Sequence, residues 1–348
     1  MLFQLIDAGR REAGLLLEGL GLGMDEAPYR IVAEFDGARV RAYQAECPHG
    51  RPVLLIISAP FKRPYLWDLA PCVSVVRHCR AHHLPVYLLE WTLPGVLQDD
   101  LGLADYADRL VLVACEAIEA ELGRTATCLA GHSLGGTFAA IFATLHPERV
   151  RSLVVIDAPI DFGVEGDPIA GMVAMLPPAR LFRTLFGSPV PGSAIGLLSS
   201  AAVPAIFLGQ PAKNFVASFL STQKAAIHMR VVRWMLDEFP LPGRLFEEVF
   251  ELLYRENQFA RGLLSIGARR TGVDRLRCPV LAVVNPAGGI VPPESVRVAI
   301  GVGGQCASRV LTYEGECGPA LQHLGPLVAA GAHQRLWPAI ITWLVESG

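Results

Sequence analysis

The pattern that most limits how this chain can fold is a series of short, solidly apolar runs separated by stretches of helical spacing. "RPVLLIISAP", "LPVYLLEW", "TATCLAG", "RSLVVID" and "CPVLAVVN" are too short for helices and lack the alternation of a half-exposed strand. Such runs read as strands buried on both faces. Between them, "YADRLVLVACEAIEAELG" and Gly135 to Leu145 repeat apolar residues at helical spacing, and Trp67 to Ala81 reads as another helix. The alternation predicts an α/β fold, a mostly parallel sheet covered by helices on both faces. Leu2 to Leu17 reads as an opening helix. "YRIVAEFDGARVRAYQ" alternates on either side of Asp36-Gly37, a hairpin signal. "SRVLTYEG" closes the run of strands, and the last helix carries "LWPAIITWLVE".

One interval breaks this rhythm. From Ile160 to about Thr271 there are helical patterns but no buried strand. The expected organisation is therefore a core of residues 1–159 and 272–348, with a helical cap of residues 160–271. Residues 184–212, "TLFGSPVPGSAIGLLSSAAVPAIFLGQPA", contain no charge, and Pro189, Pro191, Pro204 and Pro211 argue against one membrane-spanning helix. A cap lining a pocket for an apolar substrate fits such a segment. A subunit contact, as in a homodimer, or weak contact with a lipid surface are the other uses for it.

Bulk properties narrow the function classes. A net charge of -3 with both signs mixed along the chain gives no footprint for nucleic acid or acidic membranes. The eight cysteines form no C-x-x-C pair and no zinc-spaced cluster, so reduced core cysteines and no metal are expected. Cys47-Pro48-His49 is too isolated to be half of a metal site. Nothing calls for a cofactor. "MLFQLIDAGRREAG" lacks the basic start of a signal peptide, and a cytoplasmic enzyme is the expectation.

The chemistry begins at Gly131-His132-Ser133-Leu134-Gly135, a G-x-S-x-G pattern between a predicted strand and a predicted helix. That context is what a nucleophile elbow requires: a strained turn that projects the serine oxygen at the carboxyl edge of the sheet. Ser133 is the candidate nucleophile, and His132 reads as a packing neighbour. An oxyanion hole needs two backbone N–H groups. Leu134 offers one. In "SAPFKR", Pro60 has none, so Phe61 is the second candidate, with Ala59 next.

The base belongs between the last strand and the final helix, where His323 and His333 occur. His333 falls where that helix begins and reads as a surface residue; His323 is the candidate base. The acid normally follows the next-to-last strand, but "VVNPAGGIVPPES" contains no Asp, and Glu294 beyond its prolines reads as solvent-facing. Asp157, ending "LVVID", is the alternative seat, with Asp161 more distant. Asp157 also reads simply as a strand-end turn former, which leaves a Ser133-His323 dyad without an acid as the alternative.

These residues resemble the polyhydroxyalkanoate synthase family of α/β-hydrolase-fold enzymes. "LLIISAPFKRPYLWDLAP", "VYLLEWTLPG", "DYADRLVLVACEAI" and above all "RWMLDEFPLPGRLFEEVFELLYRENQFARG" carry the likeness. The resemblance implies Ser133 in the nucleophile position and His323 in the base position. It also marks two departures: the family uses cysteine where this chain has Ser133, and its acid would fall at Gly288. The expected function is a serine acyl-hydrolase, esterase- or thioesterase-like, acting on an apolar acyl or hydroxyacyl ester or thioester. The resemblance alone favours the hydroxyacyl substrates and a weak contact of the cap with a polyester surface. An acyltransferase of the polyester-synthase kind and a non-catalytic binding protein on the same fold are the alternatives.

Overall fold

The computed structural model describes residues 2–43, 51–95, 98–218, 221–301, 308–317 and 321–347. Cys47-Pro48-His49 lies outside the described residues. The chain begins with α1 (Leu2–Leu17) and the hairpin of β1 (Arg30–Phe35) and β2 (Ala38–Tyr43). Gly37 makes its turn at a φ of 98°, open to glycine and costly for other residues. β3 (Leu54–Ile57) is the first buried run. Next come β4 (Asp68–Ala70), β5 (Val73–Ser74) and α2 (Val75–Ala81). The helix expected over Trp67 to Ala81 thus occupies only its second part. Pro71 disfavours helix at the residue before it, and the fully buried Asp68 accepts hydrogen bonds from Ala27 N and Ser74 Oγ.

The alternating middle follows the expectation: β6 (Val86–Trp91), α3 (Leu110–Leu122), β7 (Thr127–His132), α4 (Leu134–Leu145) and β8 (Val150–Ile156). Residues 160–271 then hold α5 (Pro168–Met175), α6 (Ala179–Phe186), α7 (Gly192–Ala202), α8 (Gln210–Ser218), α9 (Thr222–Leu236) and α10 (Gly243–Glu248). The small hairpin of β9 (Leu264–Ile266) and β10 (Arg269–Thr271) ends the interval. β11 (Val280–Val284), α11 (Pro293–Gly301), β12 (Arg309–Thr312), α12 (Gly325–Val328) and α13 (Trp337–Glu346) complete the chain.

The main sheet runs β1-β2-β6-β3-β7-β8-β11-β12. β2 pairs antiparallel with β1 and β6, and every pairing from β6 through β12 is parallel. Register places Ile57 beside Gly131, His132 beside Ile156, and Ile156 beside Val283. The carboxyl ends of β3, β7, β8 and β11 therefore meet at one edge, where open α/β sheets bind ligands. Burying all four β3 side chains completely gives that edge a rigid base.

Two segments sit differently from the expected division. α1 packs on α7 and α9 rather than on the sheet. Asp7 accepts from the Gly192 and Ser193 amides (3.1 and 2.9 Å), covering free N–H groups at the start of α7. Arg10 pairs with Glu238 at 2.7 Å. At the other end, β10 belongs with the core: Thr271 Oγ1 donates to Thr144 Oγ1 of α4 (2.7 Å), and Arg269 pairs with Asp108. Among the described residues no single helix is long and apolar enough to cross a membrane. The two apolar pairs, α5 with α6 and Gly192–Ala202 with Ala205–Ser218, are bent by 85° and 105°.

Candidate active site

β7 delivers Ser133 to the edge and α4 begins immediately after it. Ser133 has φ 54° and ψ -138°, a conformation non-glycine residues rarely adopt. Three close contacts hold it there. The Ser133 amide donates to Ile156 O at 3.0 Å. A Cβ on Gly131 would overlap the backbone of Gly135 and Gly136, and one on Gly135 would overlap Ile57 O at the end of β3. The glycines of the motif are thus required for three backbones to pack together around the strained serine. Leu134 is the first residue of α4, so its N–H has no intrahelical partner, and the positive end of the helix points at the same place.

Asp157 follows β8. Its amide donates to Val283 O (2.9 Å), fixing it against β11, and its φ is 43°. Aspartate tolerates the left-handed region better than most residues, yet pays for it. The carboxylate is fully buried, and the contacts of Oδ2 define its role. It accepts from His323 Nδ1 at 2.7 Å and from Asn285 Nδ2 at 2.9 Å. Asn285, just past β11, donates also to Gln322 O at 3.0 Å, so it braces both the Asp157 carboxylate and the segment that carries His323. A carbonyl or carboxylate oxygen can only accept, which fixes the Asn285 amide orientation and puts a proton on His323 Nδ1.

His132 is more than a packing neighbour. Its Nε2 donates to the backbone oxygen of His323 at 2.8 Å, and the two rings lie 4.4 Å apart. Burial, and then the His323 ring beside it, hold His132 well below the ordinary histidine range, so it stays neutral. His132, Asp157 and His323 bring possible metal-ligand atoms within 4.8 Å of one another. His132 Nε2 and His323 Nδ1 are the ring nitrogens engaged in the hydrogen bonds just described.

Ser133, Leu134, Ala59, Phe61 and His323 all line one cavity of about 720 Å³. Its walls are mainly apolar, supplied by the core edge (Leu66, Trp67), by α1 (Phe3, Ile6) and by the insertion (Val173, Phe246, Phe250 among others). Arg10, Lys62, Arg63 and Glu238 are its charged lining residues. Lys62 Nζ donates to Glu238 (3.0 Å) and to Met235 O (2.8 Å). Burial pulls this lysine below its ordinary range, against the pull of Glu238.

The remaining candidates fall elsewhere. His333 is buried at the start of the closing helical segment, contrary to its reading as a surface residue. Its Nε2 donates to Leu327 O (2.8 Å), and burial pushes it down to about 4. Asp161 bonds Asn257 Nδ2 at 2.7 Å, a bond that ties the loop after β8 to the insertion. Glu294 is exposed, and the side of Gly288 faces Asn285 and Asp157. Sequence reasoning missed Asn285 and the bond from His132. The one hint of Asn285 was an uncharged polar residue directly after the apolar run "LAVV".

The same architecture recurs in known proteins. A family model described as alpha/beta hydrolase fold matches residues 75–194. A thermophilic esterase from Thermogutta terrifontis superposes with a TM-score of 0.53 at 17% identity, covering 92% of this chain and 99% of that one. The thioesterase domain from a curacin biosynthetic pathway gives 0.52 at 14%, covering 91% and 100%. This chain is an α/β-hydrolase-fold protein. In sequence it resembles poly(3-hydroxyalkanoate) polymerase subunits PhaC: 26% identity over 93% of the chain for Haloferax mediterranei, and 26% over 86% for Allochromatium vinosum. The match to Thiocystis violacea is 27% over 87%. The chain spans 65% of the length of the first of these relatives, and 82% and 84% of the other two.

Proposed function

We propose that the chain is a serine acyl-hydrolase acting on an apolar acyl or hydroxyacyl ester or thioester. The observation that carries this reading is the 2.7 Å bond from His323 to the buried Asp157, beside a strained serine on the wall of a largely apolar cavity. His323 Nε2 removes the proton of Ser133 Oγ as that oxygen attacks the substrate carbonyl. The oxyanion is held by the Leu134 and Phe61 amides, helped by the start of α4. His323 then gives its proton to the departing alcohol or thiol. A water molecule, deprotonated by the same nitrogen, releases the acyl group and frees Ser133. Asp157 remains ionised throughout, orienting the ring and stabilising its cationic form. The helices of residues 160–271, together with α1, act as the cap that shapes the acyl pocket.

The names of the relatives favour a second reading, transfer of the acyl group to an alcohol in place of water. A serine ester intermediate serves either acceptor. Incubating the protein with hydroxyacyl and acyl thioesters, with and without an added alcohol, separates them by mass spectrometry of the products. A hydrolase yields free acid at a rate the alcohol barely alters. A transferase yields ester or oligomer instead. Turnover that survives in Ser133→Ala removes both.

A further inference from the structure

The loop that carries Phe61 is fastened from two sides. At its start Ser58 belongs to the core. Its Oγ donates to Leu89 O and its carbonyl accepts from Trp91 Nε1, both at 2.8 Å and both on β6. Beyond Phe61 the fastenings are to the insertion. The backbones of Lys62 and Glu238 pair in a single antiparallel bridge, and Arg63 O accepts from Trp234 Nε1 of α9 at 2.7 Å. Lys62 Nζ adds its bonds to Glu238 Oε2 (3.0 Å) and Met235 O (2.8 Å).

Glu238 joins a third segment to these two. Its side chain is only 3% exposed, and its other oxygen accepts from Arg10 Nε of α1 at 2.7 Å. Arg10 Nη2 reaches Met235 O as well, at 3.2 Å. Met235 lies in the last turn of α9, where carbonyls lack intrahelical partners and form the negative end of the helix. Two cations, one from the loop after β3 and one from α1, therefore converge on one buried carboxylate and one helix end. Taking either away leaves that carboxylate half compensated in a buried place, so the three segments are set as a unit.

We propose that Lys62 and Glu238, backed by Arg10, are positioning residues for the oxyanion hole, tying the placement of the Phe61 amide to the insertion and to α1. This deepens the serine-hydrolase reading and rests on it, with Phe61 as the second donor. Phe61 is the neighbour of Lys62 in the chain, so a shift of the Lys62–Glu238 bridge is passed to the peptide that carries the Phe61 N–H. Oxyanion donors act only within a narrow distance of the developing charge, and a misplacement of about 1 Å costs on the order of 10²-fold in rate. Arg10, Lys62 and Glu238 also line the cavity. A direct hold on substrate is the competing role, and it acts on KM, whereas positioning acts on kcat.

Lys62→Met keeps the stem and removes the ammonium. Its kcat for an acyl ester falls by about 10- to 100-fold with KM nearly unchanged, and Lys62→Arg regains most of the loss. Adding Glu238→Gln to Lys62→Met removes the unpaired carboxylate and costs little further, because the clasp is already open. A rise in KM at constant kcat, or an unaltered kcat in the folded double variant, overturns the proposal. Hydrogen exchange gives a readout independent of catalysis. Amides of residues 61–63 exchange faster in Lys62→Met and in Arg10→Met, while β3 and β7 keep their protection. Unaltered exchange in this loop overturns the clasp whatever the chemistry. A natural protein with no ester turnover, but with faster loop exchange in both variants, overturns the hydrolase reading and leaves the fastening of the loop to α1 and α9 standing.

Discussion

Ser133 and Asp157 both hold positive φ values and both end strands of the main sheet. Backbone strain of this kind costs of order 1–3 kcal/mol per residue, and here it directs a hydroxyl and a carboxylate toward one edge. His323 Nδ1 is committed to Asp157. Replacing Asp157 by Asn keeps size and shape but sets an amide against Nδ1, favouring the wrong tautomer. Steady-state turnover of an acyl ester should therefore fall by about 10⁴-fold, with KM nearly unchanged. A loss below tenfold would mean that Asp157 serves only as a strand-end turn.

Elements decide where these residues can meet. The runs forming β3, β7, β8 and β11 were legible because strands buried on both faces must be apolar throughout, and the elbow because its glycines admit close backbones. The place of α1 was not legible. Its apolar spacing predicts a helix but says nothing of the partner, and the docking depends on Asp7 reaching the start of α7 over a long sequence separation. Asp7→Ala strips two amides of a charged acceptor. It should destabilise the α1–α7 contact by about 1.5–3 kcal/mol, seen as faster hydrogen exchange in α1 and α7 with β3 and β7 unaffected. Uniform loosening of the sheet would place α1 in the core instead. The candidate acid was half legible: an empty loop after β11 pointed to Asp157, but the brace from Asn285 depends on two strand ends lying side by side.

At the scale of the molecule, buried histidines tie stability to pH. His333 sits at about 4 in the folded protein against an ordinary value near 6.5, and His132 is also held low by burial. The unfolded chain therefore binds protons that the folded one refuses. The contribution of these histidines is full above about pH 6.5 and declines as the pH falls toward 4. His333 alone accounts for roughly 3 kcal/mol of that loss. Urea unfolding of His333→Gln should show a shallower decline over this window than the natural protein. Parallel curves would assign the dependence to other groups.

The central claim is that Ser133 is a nucleophile activated by His323 and Asp157 on the wall of a largely apolar cavity. Its most direct test is covalent: treat the folded protein with an alkyl fluorophosphonate and locate the adduct by peptide mass spectrometry. The account predicts one adduct on Ser133, lost in Ser133→Ala and formed far more slowly in His323→Ala and Asp157→Asn. An unlabelled protein at high reagent concentration, or labelling that persists in Ser133→Ala, would contradict it.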